Sequence, residues 1–398
     1  MVRIFYILVI LVLLVNCSVQ KPKDRIPGIQ EQTRKDLAFA AKQYSFLSTQ
    51  VPPGRFPKNF DPKTGKYEWS TSEWWCSGFY PGTLLQLFEE TKDSSLYLEA
   101  LRMLKLLEKE QYNRGTHDLG FMMFCSFGNA NRIQPMKSYE EVLMNSARSL
   151  VTRFNPVVGS IRSWDSDTKD FLVIIDNMMN LELLFWATKH SGDSAYYNIA
   201  VTHARNTIKN HFRPDNSSYH VINYDPVSGV IKEKRTAQGF SNESAWARGQ
   251  AWGLYGFTMT YRETKDPAFL EQAEKIAEFL LHHPNLPADK IPYWDFNAPA
   301  GALRDASAAA IIASALLELK SFIQDKAKAG LYQQSAETIM ATLSQDYKAA
   351  SGSNGGFILK HGVGHLPAGT EVDVALTYAD YYFIEATKRL KLLIANGR

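Results

Sequence analysis

The 398-residue chain is 45% hydrophobic and 12% aromatic, enough to bury a large core in one to three domains. Its 44 basic and 41 acidic residues leave a net charge of only +3, and no long basic run occurs, which argues against nucleic acid as a partner. Three cysteines are too few for a disulfide scaffold.

In chain order, the first feature is 4-IFYILVILVLLV-15, twelve apolar residues behind Arg3. The run is short for a membrane span and matches the hydrophobic region of a signal peptide. It ends at 14-LVNCS-18, where Cys17 takes the place of the lipidated cysteine in a bacterial lipoprotein cleavage box, with Asn16 off that pattern. The expectation is an exported, periplasmic protein with residues 1–22 as signal segment. Its only membrane association would be a lipid on Cys17. Residues 23–398 are expected to form a single domain. Cys76 and Cys125 read as small buried hydrophobes. No C-x-x-C, H-E-x-x-H or Cys/His cluster argues for a metal, and no cofactor is expected.

After a polar lead over about residues 19–30, helical periodicity dominates. Three segments, 93-DSSLYLEA-100, 193-DSAYYNIA-200 and 266-DPAFLEQA-273, form a faint repeat. Each begins with Asp, a good N-cap, and opens an amphipathic helix. Each follows a helix that is apolar nearly all round: 79-FYPGTLLQLFEE-90, 177-NMMNLELLFWATKH-190 and 249-GQAWGLYGFTMTYRE-263. A helix apolar on every face is buried, and an amphipathic one faces water. Inner starts fall near Gly78, Asp118, Asp176, Arg248, Asp305 and Asp373, with room between them for two helices and loops. Six inner and six outer helices predict an all-α, (α/α)6 barrel. Few strands are expected; the clearest lie in 217-SSYHVINYDPVSGVI-231, two β-prone runs around a DPVSG turn.

The loops entering the inner helices share one end of such a barrel. They carry Trp75, Trp164, Trp246, Trp252 and Trp294, five of the eight tryptophans, with aspartates, histidines, Gln238 and Arg248 among them. Aromatic faces with convergent polar groups suit a carbohydrate. Asp118 and Asp176 lie one inner-helix step apart, and two carboxylates on such a rim suggest general acid/base chemistry. Asp176 is hemmed by Ile174, Ile175, Met178 and Met179, so desolvation is expected to raise its pKa and leave it able to donate a proton. Asp118, at a helix N-terminus, is expected to stay ionised.

These residues resemble glycoside hydrolase family 88, the unsaturated glucuronyl hydrolases. The resemblance runs from about residue 70 to the C-terminus. It is carried by WWCSGFYPG, HDLGFM, IIDNMMN, YHVINYD, TAQGFSNESAWARGQAWGLYG and 367-PAGTEVDVALTYADYYFIEATKR-389, in that order. It implies an (α/α)6 barrel, in agreement with the helix count. It also implies removal of a 4,5-unsaturated uronic acid from the end of a lyase-generated oligosaccharide, by protonation of C4 and hydration of C5. Residue by residue, it implies Asp176 as acid/base and Asp118 as assisting carboxylate. Substrate contacts fall on His220, Gln238, Trp246, Arg248 and Trp252, with Trp75, Trp164 and His117 completing the site. By charge alone, Arg248 suits the uronate carboxylate. The loop 350-ASGSNGGFILKHGVGH-365 offers hydroxyls and cations to a sulfate or to the next sugar, or is a plain polar turn.

Three rivals stand beside this reading: an unsaturated rhamnogalacturonyl hydrolase, a barrel isomerase working with histidine bases, and a non-catalytic glycan-binding lipoprotein. Two central aspartates argue against the isomerase. A carboxylate in apolar surroundings argues against pure binding.

Overall fold

The computed structural model describes residues 22–395, with side chains from residue 28 onward. The signal segment and Cys17 lie outside the described residues.

Twelve α-helices follow in chain order: α1 (Pro22–Ser48), α2 (Phe79–Thr91), α3 (Ser94–Leu107), α4 (Asn129–Ile133), α5 (Lys137–Val151), α6 (Leu181–Ser191), α7 (Ser194–His211), α8 (Ala247–Thr264), α9 (Pro267–His282), α10 (Ala306–Leu319), α11 (Lys326–Thr342) and α12 (Thr377–Ala395). Even-numbered helices form the inner layer and odd-numbered helices the outer. Two inner helices have irregular beginnings. A π-helical stretch, Gly120–Gly128, leads into α4, and a 3-10 turn, Ile175–Asn180, leads into α6. Each inner helix packs on the next, and α12 returns to α2, so the ring closes into the expected (α/α)6 barrel. The first outer helix, α1, already covers residues 22–30 of the stretch read as a polar lead.

Burial explains the two layers. In α10, ASAAAIIASALLEL, small residues let α8 and α12 approach from both sides, and all its residues but Glu318 are buried. In α9 the buried set is Phe269, Gln272, Ala273, Ile276, Ala277, Leu280 and Leu281, the stripe of a one-sided helix. The repeated aspartates do cap: Asp93, Asp193 and Asp266 accept from Ser95 N (2.9 Å), Ala195 N (2.8 Å) and Ala268 N (3.0 Å). Asp325 caps α11 in the same way, accepting from Ala327 N at 2.8 Å.

The strands gather at one end. They are β1 (Phe56–Asp61), β2 (Lys66–Ser70), β3 (Phe154–Asn155), β4 (Ser160–Ile161), β5 (Phe171–Ile174), β6 (Val221–Tyr224), β7 (Ile231–Arg235), β8 (Gly362–His365) and β9 (Thr370–Leu376). One sheet has the order β2-β1-β9-β8, another β5-β6-β7, and β3 pairs with β4. The hairpin read around DPVSG is β6–β7. The sixth inner start, placed near Asp373, is corrected: Asp373 lies in β9, and α12 begins at Thr377. The reason is legible in TEVDVAL, where Val372, Val374 and Leu376 alternate with period two.

A buried carboxyl anchors the loop before β8 to the ring. Asp380 of α12 accepts from Ile358 N and Leu359 N, both at 2.9 Å, and from Tyr44 Oη of α1 at 3.2 Å. Burial nevertheless pushes its pKa up to about 7. Cys76 is buried and Cys125 half-buried, both as free thiols.

Candidate active site

Strand pairing and helix starts converge on one cavity. β5 runs directly into the 3-10 turn that carries Asp176. β6 pairs antiparallel with β5, Ile174 opposite Val221, and Ile175 N donates to His220 O at 3.1 Å. His220 is thereby set beside Asp176, with its Nε2 3.7 Å from Asp176 Oδ2. β7 pairs with β6, Val221 opposite Arg235, which brings 236-TAQGF-240 alongside. His220 Nδ1 accepts from Ala237 N (3.2 Å) and Gln238 N (3.3 Å). An imidazole nitrogen that accepts two amide protons carries none of its own, so the ring proton sits on Nε2, toward Asp176. Burial holds the His220 pKa far below its ordinary value, so the ring is neutral.

The cavity, about 350 Å³, is lined by Asp118, Asp176, His117, Trp74, Trp75, Trp164, Phe121, Ile174, Gln238, Arg248 and His365, with Lys58, Thr370 and Glu371 from the four-stranded sheet. Both carboxyls are pushed up to about 7, mainly by burial. For Asp176 the Arg248 charge works against that rise and the nearby Asp118 adds to it. For Asp118, Thr116 and Asn180 work against it, as does the Arg153 charge. The expectation that a helix N-terminus favours the ionised form of Asp118 is therefore incomplete. Asp118 precedes a π-helical stretch and does not cap it, and desolvation outweighs the dipole. His117 Nε2 lies 3.3 Å from Asp118 Oδ1, but burial lowers its pKa to about 3, so this is no ion pair.

Asp176 Oδ2 is buried without a hydrogen-bond partner, whereas Asp118 Oδ2 accepts from Thr116 Oγ1 at 3.2 Å. Donors favour the ionised form of a carboxyl, and their absence favours the protonated one. Of the two, Asp176 is therefore the better holder of a proton.

Arg248 is buried at the start of α8. Its Nη1 donates to Val363 O (2.5 Å) and faces Asp305 Oδ2 (3.4 Å); its Nη2 donates to Gly364 O (2.6 Å). Its Nε has no partner. Of five N–H groups, Nε–H and one on Nη2 remain for a ligand. Gln238 Nε2 donates to the same Gly364 O at 3.0 Å, so both residues fix β8 against the site.

The tryptophans divide. Trp75 and Trp164 line the cavity, Trp75 braced by Phe79, Phe121 and Tyr378. Trp246 is buried behind it, its ring tilted against His220 at 4.4 Å between centroids, with the Arg248 guanidinium 4.6 Å over its ring. Trp252 is in the core against Phe121 and Tyr382 and does not reach the cavity. It lies one turn further along α8 than Arg248, where the helix points inward. Trp294 packs on Phe240, away from the carboxyls. Of the 350–365 loop, only His365 reaches the cavity, its Nε2 donating to Ala237 O at 3.0 Å. The sequence reading missed Lys58, Trp74, Thr370 and Glu371. The doubled tryptophan of EWWCSG was a signal for Trp74; nothing local marks the others, which arrive by strand pairing.

The raised carboxyls predict a pH effect on stability. A carboxyl raised from 3.8 to about 7 holds its proton more tightly in the folded state. Its contribution is fully present below its unfolded pKa and is lost as pH rises through about 7. Wild-type Tm should fall between pH 5 and pH 8, and Asp176→Asn should show a smaller fall and a higher Tm than wild type at pH 8. Calorimetry across that range checks it; equal slopes for both proteins would contradict the burial argument.

Comparison with known proteins agrees with this geometry. The Glycosyl Hydrolase Family 88 model matches residues 53–392. An unsaturated glucuronyl hydrolase of Formosa agariphila is 47% identical over 92% of this chain and 94% of its own. An unsaturated chondroitin disaccharide hydrolase of Streptococcus pyogenes is 31% identical over 90% and 91%. The crystal structure of an unsaturated glucuronyl hydrolase specific for heparin superposes with a TM-score of 0.88 at 48% identity, covering 91% of this chain and 98% of that one. With a barrel of this form and a carboxyl pair at its mouth, the chain belongs to glycoside hydrolase family 88 and is a glycosidase.

Proposed function

We propose that the protein removes the 4,5-unsaturated uronic acid from the non-reducing end of glycosaminoglycan-type oligosaccharides produced by lyases. The observation that carries this reading is the pair of half-buried carboxyls, both raised to about 7, facing an aromatic-walled cavity. Relatives named for glucuronyl and chondroitin substrates align along most of this chain, which favours this class over a pectin-derived one.

Protonated Asp176 donates to C4 of the vinyl ether. Positive charge then develops at C5 and the ring oxygen, and ionised Asp118 stabilises it. Water adds to C5 and loses its extra proton to the Asp176 carboxylate, which regenerates the acid. The resulting hemiketal opens by breaking its bond to the ring oxygen, and the rearranged uronate releases the sugar behind it. His220, neutral and with its Nε2–H toward Asp176, orients that carboxyl. Trp75 and Trp164 cover the sugar faces, and Arg248 offers its remaining N–H groups to the uronate carboxylate. No step requires a metal or a cofactor.

The reaction consumes the double bond, so ultraviolet absorbance reports it directly. Purified protein should abolish the absorbance of lyase-generated disaccharides, and the ranking of rates over sulfated and unsulfated members identifies the parent polymer. A folded protein that binds such a disaccharide without loss of absorbance would sink the hydrolase reading. Asp176→Asn should keep binding and lose about 10²-fold or more in kcat, the scale of general acid catalysis. Arg248→Ala should raise KM by about tenfold or more, the scale of a charge-assisted hydrogen bond. An unchanged KM removes the carboxylate clamp.

The same reading has the enzyme exported to the periplasm and held at a membrane by a lipid on Cys17, on the strength of 4-IFYILVILVLLV-15 and the cysteine that follows it. Cys17→Ala should move the protein from the membrane fraction to the soluble periplasmic fraction; a soluble wild type counts against the anchor.

A further inference from the structure

Asn180 is assigned no role by the chemistry above, yet it sits where the two carboxyl-bearing turns meet. It ends the 3-10 turn Ile175–Asn180, four residues beyond Asp176, and its side chain is completely buried. Across from it, the Asp118 turn comes in at backbone distance. A Cβ on Gly120 would lie 2.4 Å from Asn180 Cα and 2.8 Å from its Oδ1, so only glycine fits. Asn180 Oδ1 accepts from Phe121 N at 2.9 Å. An amide whose oxygen is fixed in this way must present its nitrogen on the other side. That Nδ2 is buried with no bonded partner, and the Asn180 side chain offsets part of the rise that burial imposes on the Asp118 carboxyl. The helix opens here in π form, Gly120–Gly128, a distortion frequent at functional sites.

We infer that Asn180 is a positioning residue for the reaction: it locks the Asp118 turn onto the Asp176 turn and offers an N–H to the Asp118 carboxylate, so that Asp118 ionises and Asp176 keeps the proton. The inference rests on the hydrolase reading above, in which the two carboxyls must take opposite protonation states. The other groups facing Asp118 do not supply this asymmetry alone. Thr116 bonds it at 3.2 Å, and His117 is neutral. Arg153 contributes its charge but is committed to Asp165 (2.9 Å) and to the carbonyls of Arg114, Arg162 and Ser163. On the Asp176 side, Arg248 and His220 are the facing groups, and neither bonds its Oδ2.

Asn180→Asp tests this most sharply. It keeps an oxygen for Phe121 N and replaces the N–H with an acceptor beside Asp118. The folded variant should lose about a hundredfold in kcat with KM within about threefold, and the acid limb of its kcat/KM profile should move up by about one pH unit. Asn180→Ala, which removes both ends of the amide, should show the same upward movement. A purely structural role would lower Tm without moving the limb. Unmoved limbs in both folded variants overturn the inference. If Asn180→Asp does not fold, a ¹³C-carboxyl NMR titration of Asn180→Ala decides. The Asp118 resonance, assigned by its loss in Asp118→Asn, should titrate at higher pH than in wild type, and an unshifted titration overturns the inference. That titration needs no turnover, so failure of the wild type to consume the double bond would count against the hydrolase reading and leave this test standing.

Discussion

Desolvation of carboxyl groups is the constraint on which the rest of this structure turns. A carboxylate is most stable in water, and Asp118 and Asp176 are largely withdrawn from it, so burial raises the pKa of each to about 7. The closed ring makes that possible: an inner layer of nearly all-apolar helices supplies a dry wall on every side. Each neighbour then moderates the cost by a different means. Arg248 contributes charge from the start of α8, Thr116 a hydroxyl, and His220 a neutral N–H whose direction is dictated by two backbone amides. A site built this way gives up stability at neutral pH in exchange for a carboxylic acid able to donate a proton there.

The helices and strands divide the work. Irregular helix starts carry the carboxyls, and three-stranded and four-stranded sheets deliver the groups around them. The strand from Phe171 to Ile174 aims Asp176, and its antiparallel neighbour positions His220 by register. Arg248 and Gln238 both hold Gly364 O, so the cavity wall from β8 is fixed by residues that themselves line the cavity. Gly364 is itself confined, since a Cβ there would lie 2.4 Å from the Glu371 side chain. Glu371 in turn adopts φ 53°, an unusual conformation for its type, where β9 enters the cavity wall.

The legibility of these features in the sequence follows their range. Asp176 stood out because an acidic residue between Ile174, Ile175, Met178 and Met179 conflicts with its own surroundings, and the structure shows why it is tolerated. The capping aspartates were legible because a cap is a contact over two residues. The tryptophans were less so. Trp75, Trp164, Trp246 and Trp252 carry the same local signal, yet two line the cavity, one supports it from behind and one is core. Which of these a ring becomes depends on how its turn, bridge or helix packs against neighbours far away in sequence. The raised pKa of Asp118 was not legible for a related reason: the dipole argument is local, and burial in the cavity wall is not.

The sequence by itself determined the alternation of buried and half-exposed helices and the number of turns of that alternation, and it singled out the two aspartates that the fold brings to one cavity, because all of these follow from side-chain periodicity and from residues at odds with their neighbours. Only the tertiary structure decided that Lys58, Trp74 and Glu371 join the site, that Arg248 has already committed three of its five N–H groups, and that both carboxyls are raised together. Those properties are sums over contacts between segments tens to hundreds of residues apart. Desolvation, strand register and hydrogen-bond saturation have no local counterpart in the chain, and they take their values only when the ring closes.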